Sequence, residues 1–555
     1  MDHFRVTFKP DNKSIVIHAG ATVMEAAAQA GIIINAVCGG TGTCKKCQVK
    51  LLTEDKNVLA CQHRIGGNLE VMVPLTSRFF EQRILEHGTN RLFELSPSIS
   101  KKFIENKTVV YRDHTAIASE PGDTTGQIYG VAIDIGTTTV VAKLIDLTDG
   151  QVKATAASGN PQIAYGDDVI SRISYSQTEQ GLSDLHDVVV YCVNMLIKQL
   201  CVQSRICPEH IYEITVAGNT TMNHIFLKLP VKQLGQAPYN AFSVAAFDRV
   251  AGEMRIKINP AGNIHTIENI AGFVGSDTVA VATAVAMDEA EKMTLVVDIG
   301  TNGELILGTK DRMYAASCAA GPALEGARIS QGSRAVDGAI ERVVLNSDDI
   351  DLDVIGNKPP RTICGSGLID AVALMVELGI VDSTGRFVNP LQTGLAGKLP
   401  PKILARIIEQ PDGQYAFVLA YSSGGDDKPV LLTQKDIRET QLAKAAIRAG
   451  IKLLQRKFGI RDSDIEQVLL AGAFGNYIRR KSAREIGLLP NVPLERIHFV
   501  GNAASSGAQI ILTNKMCRQL AGKLARRIKY VEIANEPEFS TEFAESMRFD
   551  PLSSK

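Results

Sequence analysis

The chain has 555 residues, with 59 Lys+Arg against 60 Asp+Glu and a formal charge of −1. Its 45% hydrophobic and 21% charged residues are those of an ordinary globular protein, which excludes disorder over most of the length. The balanced charge leaves no surplus of Lys and Arg for a broad nucleic-acid face. The longest apolar runs, such as VVVYCVNMLI, fall short of the roughly 20 residues that span a bilayer, and the N-terminal MDHFRVTFKPDNK lacks an apolar signal region. Neither nucleic acid nor membrane is an expected partner, cytoplasm is the expected compartment, and the length suggests about three or four domains.

Residues 1–76 read as a first domain. FRVTFKP and KSIVIHAG form two strands around the turn sequence PDNK, and T-x-x-E from Thr22 to Glu25 opens a helix with a capping box, closed by Gly31. Four of the 10 cysteines follow in this domain, as C-x5-C-x2-C-x13-C at Cys38, Cys44, Cys47 and Cys61. Four thiolates hold either a tetrahedral zinc or an iron–sulfur cluster. Zinc ribbons usually present two CxxC knuckles, whereas here GGTGT separates the first two cysteines, small residues that let backbone amides turn toward bridging sulfides. A 2Fe–2S cluster is therefore the favoured cofactor. The other six cysteines (Cys192, Cys201, Cys207, Cys318, Cys364 and Cys517) show no ligand spacing and are expected as small buried hydrophobes.

CGGTGTCKKC followed by LACQ resembles a 2Fe–2S ferredoxin of the β-grasp fold. The first gap of five residues is that of adrenodoxin-like ferredoxins rather than the four of the plant type, and the stretch between Cys47 and Cys61 is shorter than in either. Residues 77–127 end in SEPGDTTGQ, a composition suited to a linker or small adaptor.

From Gly130 the chain repeats itself. GVAIDIGTTTVVAKLIDL and LVVDIGTNGELILGT each give a strand, a glycine turn at Asp134–Thr137 or Asp298–Thr301, and a returning strand. EITVAGNTTMNHIF and QVLLAGAFGNYI then match as a strand, Ala-Gly and a helix opening. Asp134 to Gly218 is 84 positions and Asp298 to Gly472 is 174, so the second half carries an insertion of about 90 residues, placed within 330–460. Two related α/β lobes with a cleft between them are expected, about 128–290 and 291–530, with 531–555 as a tail.

In that cleft Gly136 and Gly300 let backbone amides approach phosphate oxygens, while Thr137, Thr138, Thr301, Asn302 and the adjoining Gly303 turn add donors. Asp134 and Asp298, facing each other, would hold Mg²⁺ through waters and position an attacking water. Gly472 and Gly475 suit the nucleoside side. Gly365 and Gly367 open a helix either beside the ligand or for tight packing. Asn219, Thr220 and Thr221 offer further phosphate or magnesium contacts. Gln162 and Asp168 would orient water, although a helix cap explains Asp168 as well.

Residues 128–530 resemble the acetate and sugar kinase, heat-shock chaperone and actin superfamily: DIGTTT is similar to its first phosphate motif, DIGTNGE to its second and LLAGAFGN to its adenosine motif. These resemblances imply an α/β protein, a β-grasp ferredoxin followed by a two-lobed actin-like ATPase domain built from duplicated halves. That combination, with GNPQIAYGDDVISRI, AGNTTMNHIF, AGPALEGARI and CGSGLIDAV, resembles the reductive activators of corrinoid proteins. The resemblance implies ATP, Mg²⁺ and a 2Fe–2S cluster as cofactors, and ATP-driven transfer of one electron to a Co(II) corrinoid to give Co(I). It also implies a corrinoid protein and a low-potential donor (ferredoxin, flavodoxin or reductase) as partners, and a homodimer. The competing readings are a small-molecule phosphotransferase with a redox-sensing ferredoxin, an activator of a radical dehydratase, and a chaperone-like ATPase. The second would place cluster cysteines in the ATPase domain, and the third would need a β-domain after residue 530.

Overall fold

The structure, a computed structural model, describes residues 2–9, 13–30, 32, 34, 47–74, 95–390, 394–422, 428–472 and 478–549. The turn at 10–12 and Gly31 lie outside them. In the first domain β1 (His3–Lys9), β2 (Lys13–His18), β3 (Gln48–Leu51), β4 (Lys56–Leu59) and β5 (Leu69–Met72) form one sheet in the order β2-β1-β5-β3-β4. β1 runs antiparallel to β2 and parallel to β5. The helix Val23–Gln29 packs against this sheet through Val23, Ala26 and Ala27, which join Val6, Phe8, Val49 and Val71 in the core. Its capping box is formed: Thr22 N donates to Glu25 Oε2 at 2.8 Å and Glu25 N to Thr22 Oγ1 at 3.2 Å.

The span read as a linker contains an antiparallel meander, β6 (Ile99–Ile104), β7 (Lys107–Arg112) and β8 (Thr115–Pro121). It is fastened to the first lobe by Glu120, whose carboxylate accepts from Lys101 Nζ at 2.7 Å, from Tyr212 Oη at 2.5 Å and from Thr124. Burial alone would raise the pKa of Glu120, but the hydrogen bonds from Lys101, Thr124 and Tyr212 hold it at about 2.

That lobe is a sheet of β9 (Tyr129–Ile135), β10 (Thr139–Asp146), β11 (Val152–Gly159), β12 (Ile211–Gly218), β13 (Phe247–Val250) and β14 (Asn263–Thr266), ordered β11-β10-β9-β12-β14-β13. β12 is buried along its whole length, as a central strand covered on both faces requires. The helix Glu179–Ser204 packs on β10 and β11, burying Leu185, Val189, Val193 and Leu196. By length and composition this helix is apolar enough to cross a bilayer, which the short apolar runs of the sequence did not suggest, yet half of its most apolar stretch is buried within the fold.

The second lobe begins with β15 (Thr294–Ile299), β16 (Gly303–Thr309) and β17 (Arg312–Cys318). Two small sheets come next: β18 (Ala339–Asn346), β19 (Asp349–Val354) and β20 (Thr362–Ile363), then β21 (Ile407–Glu409), β22 (Tyr415–Ala420) and β23 (Val430–Thr433). With β24 (Gln467–Ala471), β25 (Ile497–Gly501) and β26 (Ile528–Tyr530) the main sheet runs β25-β24-β15-β16-β17-β26. Read from β17, the series β17-β16-β15-β24-β25 repeats β11-β10-β9-β12-β14, so the two lobes share one strand order. The helix Gln434–Phe458 packs on β16 and β17 as Glu179–Ser204 packs on β10 and β11, so it belongs to the repeat, and the added residues lie before Thr433.

Two helices late in the chain cross back. Ala503–Thr513 packs on β9, β12 and the helix Ser276–Ala284, and Lys515–Arg527 joins it there. The segment read as a tail is docked as well: the helix Phe539–Ser546 packs on Gln434–Phe458, Gln441 Nε2 donates to the Met547 carbonyl at 2.7 Å, and Phe549 is fully buried.

Candidate nucleotide cleft and cluster site

The repeat brings its two aspartates to equivalent places. Asp134 lies opposite Val141 on β10 and beside Ala217 on β12; Asp298 lies opposite Glu304 on β16 and beside Ala471 on β24. Both line a cavity of about 640 Å³ between the lobes, together with the turn residues Gly136, Thr137, Thr138, Gly300, Thr301 and Asn302. Each turn is closed by a backbone bond, Gly136 N to the Thr139 carbonyl and Gly300 N to the Asn302 carbonyl, both at 3.0 Å. Asn219 also lines the cavity: its Oδ1 caps the helix Thr220–Phe226 and its Nδ2 donates to Thr137 Oγ1 at 3.0 Å. Gly365 and Gly472 complete the wall. Gly472 holds φ at +93°, and a Cβ there would fall 2.7 Å from Asp298 Oδ1 and 2.7 Å from the Ile299 carbonyl.

Other residues singled out in the sequence do not reach the cavity. Gln162 is fully buried, its Nε2 donating to the Leu185 carbonyl at 3.0 Å while its Oε1 accepts from Asn160 and Arg172, both at 3.2 Å. Asp168 caps the helix Val169–Tyr175 by a reciprocal bond with Ser171. Thr220 Oγ1 donates to the Ala271 carbonyl at 2.6 Å. A Cβ on Gly367 would meet the Ile340 carbonyl at 2.4 Å, so that glycine serves the packing of its helix on β18. Gly303 leaves room for the Ile447 side chain. Gly475 lies outside the described residues.

Two further carboxylates complete the cleft. Asp277, in the first turn of the helix Ser276–Ala284, and Glu304 join the two aspartates in the cavity wall. The sequence signal for Asp277 was only a polar Gly-Ser-Asp before an apolar helix, whereas Glu304 closes the DIGTNGE motif, which gave it no role of its own. Burial raises Asp134 to about 7, with the Asp277 charge adding and a hydrogen bond from Asn502 opposing. Burial likewise raises Asp298 to about 7, reinforced by Asp277 and Asp134. Glu304 is pushed well above the usual carboxylate range, by burial first and then by the charges of Asp277 and Asp298. Four carboxyl groups thus crowd a site where a cation would relieve their repulsion. Among the described residues no three His, Cys, Asp or Glu side chains converge closely enough to ligate an ion directly. The donor set fits Mg²⁺, which dehydrates reluctantly and is held by one or two carboxylates, water and substrate phosphates.

Behind the first phosphate turn lies Arg172, fully buried. Its Nη2 donates to the Thr137 carbonyl at 2.6 Å, its Nε to the Gly166 carbonyl at 2.9 Å and its Nη1 to Gln162 Oε1 at 3.2 Å. Burial lowers its pKa to about 10, with Asp168 and Asp167 opposing, so it stays charged at neutral pH.

At the other site, the β3–β4 hairpin pairs Gln48 with Leu59 and so brings the thiols beyond its open end together. Cys47 and Cys61 are buried, with their Sγ atoms 3.3 Å apart. Two convergent buried thiols are a donor pair suited to a cluster iron. Cys38 and Cys44 lie outside the described residues. Of the six remaining cysteines five are buried, and Cys207 is exposed, its thiol donating to Glu209 Oε2 at 2.7 Å.

A ferredoxin carried on an ATPase of the acetate and sugar kinase, heat-shock chaperone and actin superfamily is the class that this fold and these sites define. Residues 6–66 match the 2Fe-2S iron-sulfur cluster binding domain, residues 129–290 the RACo middle region, and residues 292–554 the C-terminal ASKHA domain of RACo. The chain is 34% identical to a corrinoid activation enzyme, RamQ, of Eubacterium limosum, over 96% of this chain and 97% of that one. It is 25% identical to the [Co(II) methylated amine-specific corrinoid protein] reductase of Methanosarcina barkeri, over 69% and 70% of the two chains. A solved reductive activator for corrinoid, iron-sulfur protein superposes with a TM-score of 0.74 at 31% identity, over 99% of this chain and 98% of that one. The chain belongs to the family of reductive activators of corrinoid proteins.

Proposed function

We propose that the chain couples ATP turnover to the delivery of single electrons to a corrinoid protein whose cobalt has lapsed to Co(II). The observation that carries this reading is the joining, in one chain, of buried convergent cluster thiols to a carboxylate-lined nucleotide cleft, in a family whose members are named for that activation. Bound by Cys38, Cys44, Cys47 and Cys61, a 2Fe–2S cluster supplies one electron at a time. The substrate's Co(II) gains that electron and becomes Co(I). Plant-type clusters lie near about −400 mV, and each further 100 mV uphill costs about 2.3 kcal/mol per electron. Closure of the two lobes on ATP offsets that deficit by changing how the substrate is bound.

Within the cleft, the amides around Gly136 and Gly300 receive the phosphates, with Thr137, Thr138, Thr301 and Asn302 as side-chain donors. Asp134 and Asp298 hold Mg²⁺ through water and orient the attacking water, and Gly365 and Gly472 border the nucleoside. A low-potential ferredoxin, flavodoxin or reductase restores the electron. A cytoplasmic setting suits described cysteines none of which is joined in a disulfide. A homodimer is proposed as well, supported by exposed Tyr191, Met195 and Val202 on the helix Glu179–Ser204.

The test is an anaerobic visible spectrum of the cluster-loaded protein mixed with a Co(II) corrinoid protein and a low-potential reductant. The Co(I) band should grow only with ATP, and neither Cys47→Ser nor Asp298→Ala should produce it. Steady ATP turnover with an unchanged cobalt spectrum would reject corrinoid reduction and favour a phosphotransferase.

A further inference from the structure

The nucleotide cavity is not walled by the ATPase lobes alone. Ile15, on the ferredoxin strand β2, lines it together with Ile355 and Gly356 from the turn that succeeds β19. β2 is an edge strand of its sheet, and edge strands leave backbone groups unpaired. Here the Val16 carbonyl accepts from Asn357 Nδ2 at 2.9 Å, so the turn that lines the cavity is also the turn that grips the strand. An ionic cluster lies alongside. Arg342 on β18 donates to Glu25 Oε1 at 2.6 Å and to Asp353 Oδ2 at 3.4 Å, and His18 Nε2 approaches Asp353 Oδ1 at 3.7 Å. Because Glu25 Oε2 accepts from Thr22 N, one carboxylate caps the ferredoxin helix and ties its domain to the second lobe.

We propose that the docked ferredoxin domain is a cap on the nucleotide site. With Ile15 of β2 in the cavity wall, bound nucleotide leaves only when the Glu25–Arg342 tie and the Val16–Asn357 bond open. Because Ile15 lines the cavity only while β2 is docked, nucleotide in the cleft favours the docked place of the cluster domain by reciprocity of linked equilibria, and release of nucleotide frees that domain to move. The route is short: the Ile355–Asn357 turn touches the ligand space on one side and β2 on the other, with no residue between. The cap rests on the nucleotide reading of the cleft but not on the identity of the electron acceptor.

The experiment uses the full-length, cluster-loaded protein with a fluorescent ADP analogue (methylanthraniloyl-ADP), chased by excess unlabelled ADP in a stopped-flow cell. Arg342→Glu should speed release about tenfold, the size expected for losing one charge-assisted contact. Glu25→Gln, which keeps the helix cap, should act in the same direction to a smaller extent. Glu25→Lys combined with Arg342→Glu should return the rate toward that of the unmodified protein. The visible absorption of the cluster reports in each variant that the ferredoxin domain is folded. An unchanged release rate in Arg342→Glu overturns the cap, as does a Glu25→Gln variant that fails to speed release. If the unmodified protein binds no analogue at all, the nucleotide reading fails and the cap fails with it.

Discussion

Replacing Arg172 with lysine keeps the buried charge but removes the fork that holds the first phosphate turn from behind. The guanidinium serves three oxygen acceptors at once, the carbonyls of Thr137 and Gly166 and the Gln162 amide oxygen, at 2.6, 2.9 and 3.2 Å. A single ammonium on a flexible stem satisfies about one of them. Gln162 Oε1 keeps its bond from Asn160 Nδ2, but one carbonyl is then left without a donor, at about 1–3 kcal/mol. The expected net loss is about 2 kcal/mol. Because the Thr137 carbonyl is released, part of the loss falls on the turn itself, and nucleotide affinity should drop about tenfold, the equivalent of about 1.4 kcal/mol. Urea unfolding followed by far-UV circular dichroism reads the first quantity, and a fluorescence titration with a nucleotide analogue reads the second. The cluster absorption should not change. A variant that unfolds at the same urea concentration and binds nucleotide as tightly would refute the view that this arginine shapes the cleft.

Gly472→Ala should weaken nucleotide binding and destabilise the second lobe by about 2–4 kcal/mol, since both the positive φ and two oxygens 2.7 Å from the new Cβ oppose it; calorimetric titration and thermal melting check this. Glu120→Gln should destabilise the junction of the meander with the first lobe by roughly 2 kcal/mol at neutral pH. Since the folded pKa of Glu120 lies near 2, below its ordinary 4.5, its contribution is present above about pH 4.5 and is lost as pH falls through about 2. Melts over that range should therefore show the gap between variant and parent closing from neutral toward acid. Cys61→Ser should abolish the visible cluster absorption while leaving nucleotide affinity unchanged; a variant that retains the spectrum would remove Cys61 from the ligand set.

The duplicated strand–turn–strand units were legible because a buried hairpin writes its register into alternating apolar residues, and a phosphate turn admits only small residues at its bend. That signal placed Asp134 and Asp298 in one cavity. It did not reach Asp277 or Arg172, which act through tertiary neighbours that sequence spacing does not encode, and it contained Glu304 without giving that residue a role. Glu304 takes the place on β16 that Val141 holds on β10, because the second turn is one residue shorter, a difference visible only when the two registers are laid side by side. Gln162 and Asp168 show the converse. Polar residues near a helix start attract a catalytic reading, yet one completes the hydrogen bonds around a buried arginine and the other caps a helix. The meander at 99–121 was hidden by Gly, Thr and Pro at its end, which mark turns in a small sheet as readily as in a connector.

The return of the helices Ala503–Thr513 and Lys515–Arg527 onto the first lobe bears on how the protein is made. Ala508, Ile511, Leu512 and Ala521 share one core with Ile99, Ala132, Tyr212, Ala217 and Ala280. Gly507 lies so close to the Ala280 carbonyl that a Cβ would fall 1.9 Å away. When the ribosome has finished residue 290, the sheet that carries Asp134 therefore still exposes the face those helices will cover. At about 5–20 residues per second, another 200-odd residues take roughly 10–50 s to emerge. For that interval the first half of the ATPase is an open, apolar-faced intermediate, a natural client for a holdase. A fragment cut at the boundary between the two family matches would carry the same exposed face permanently.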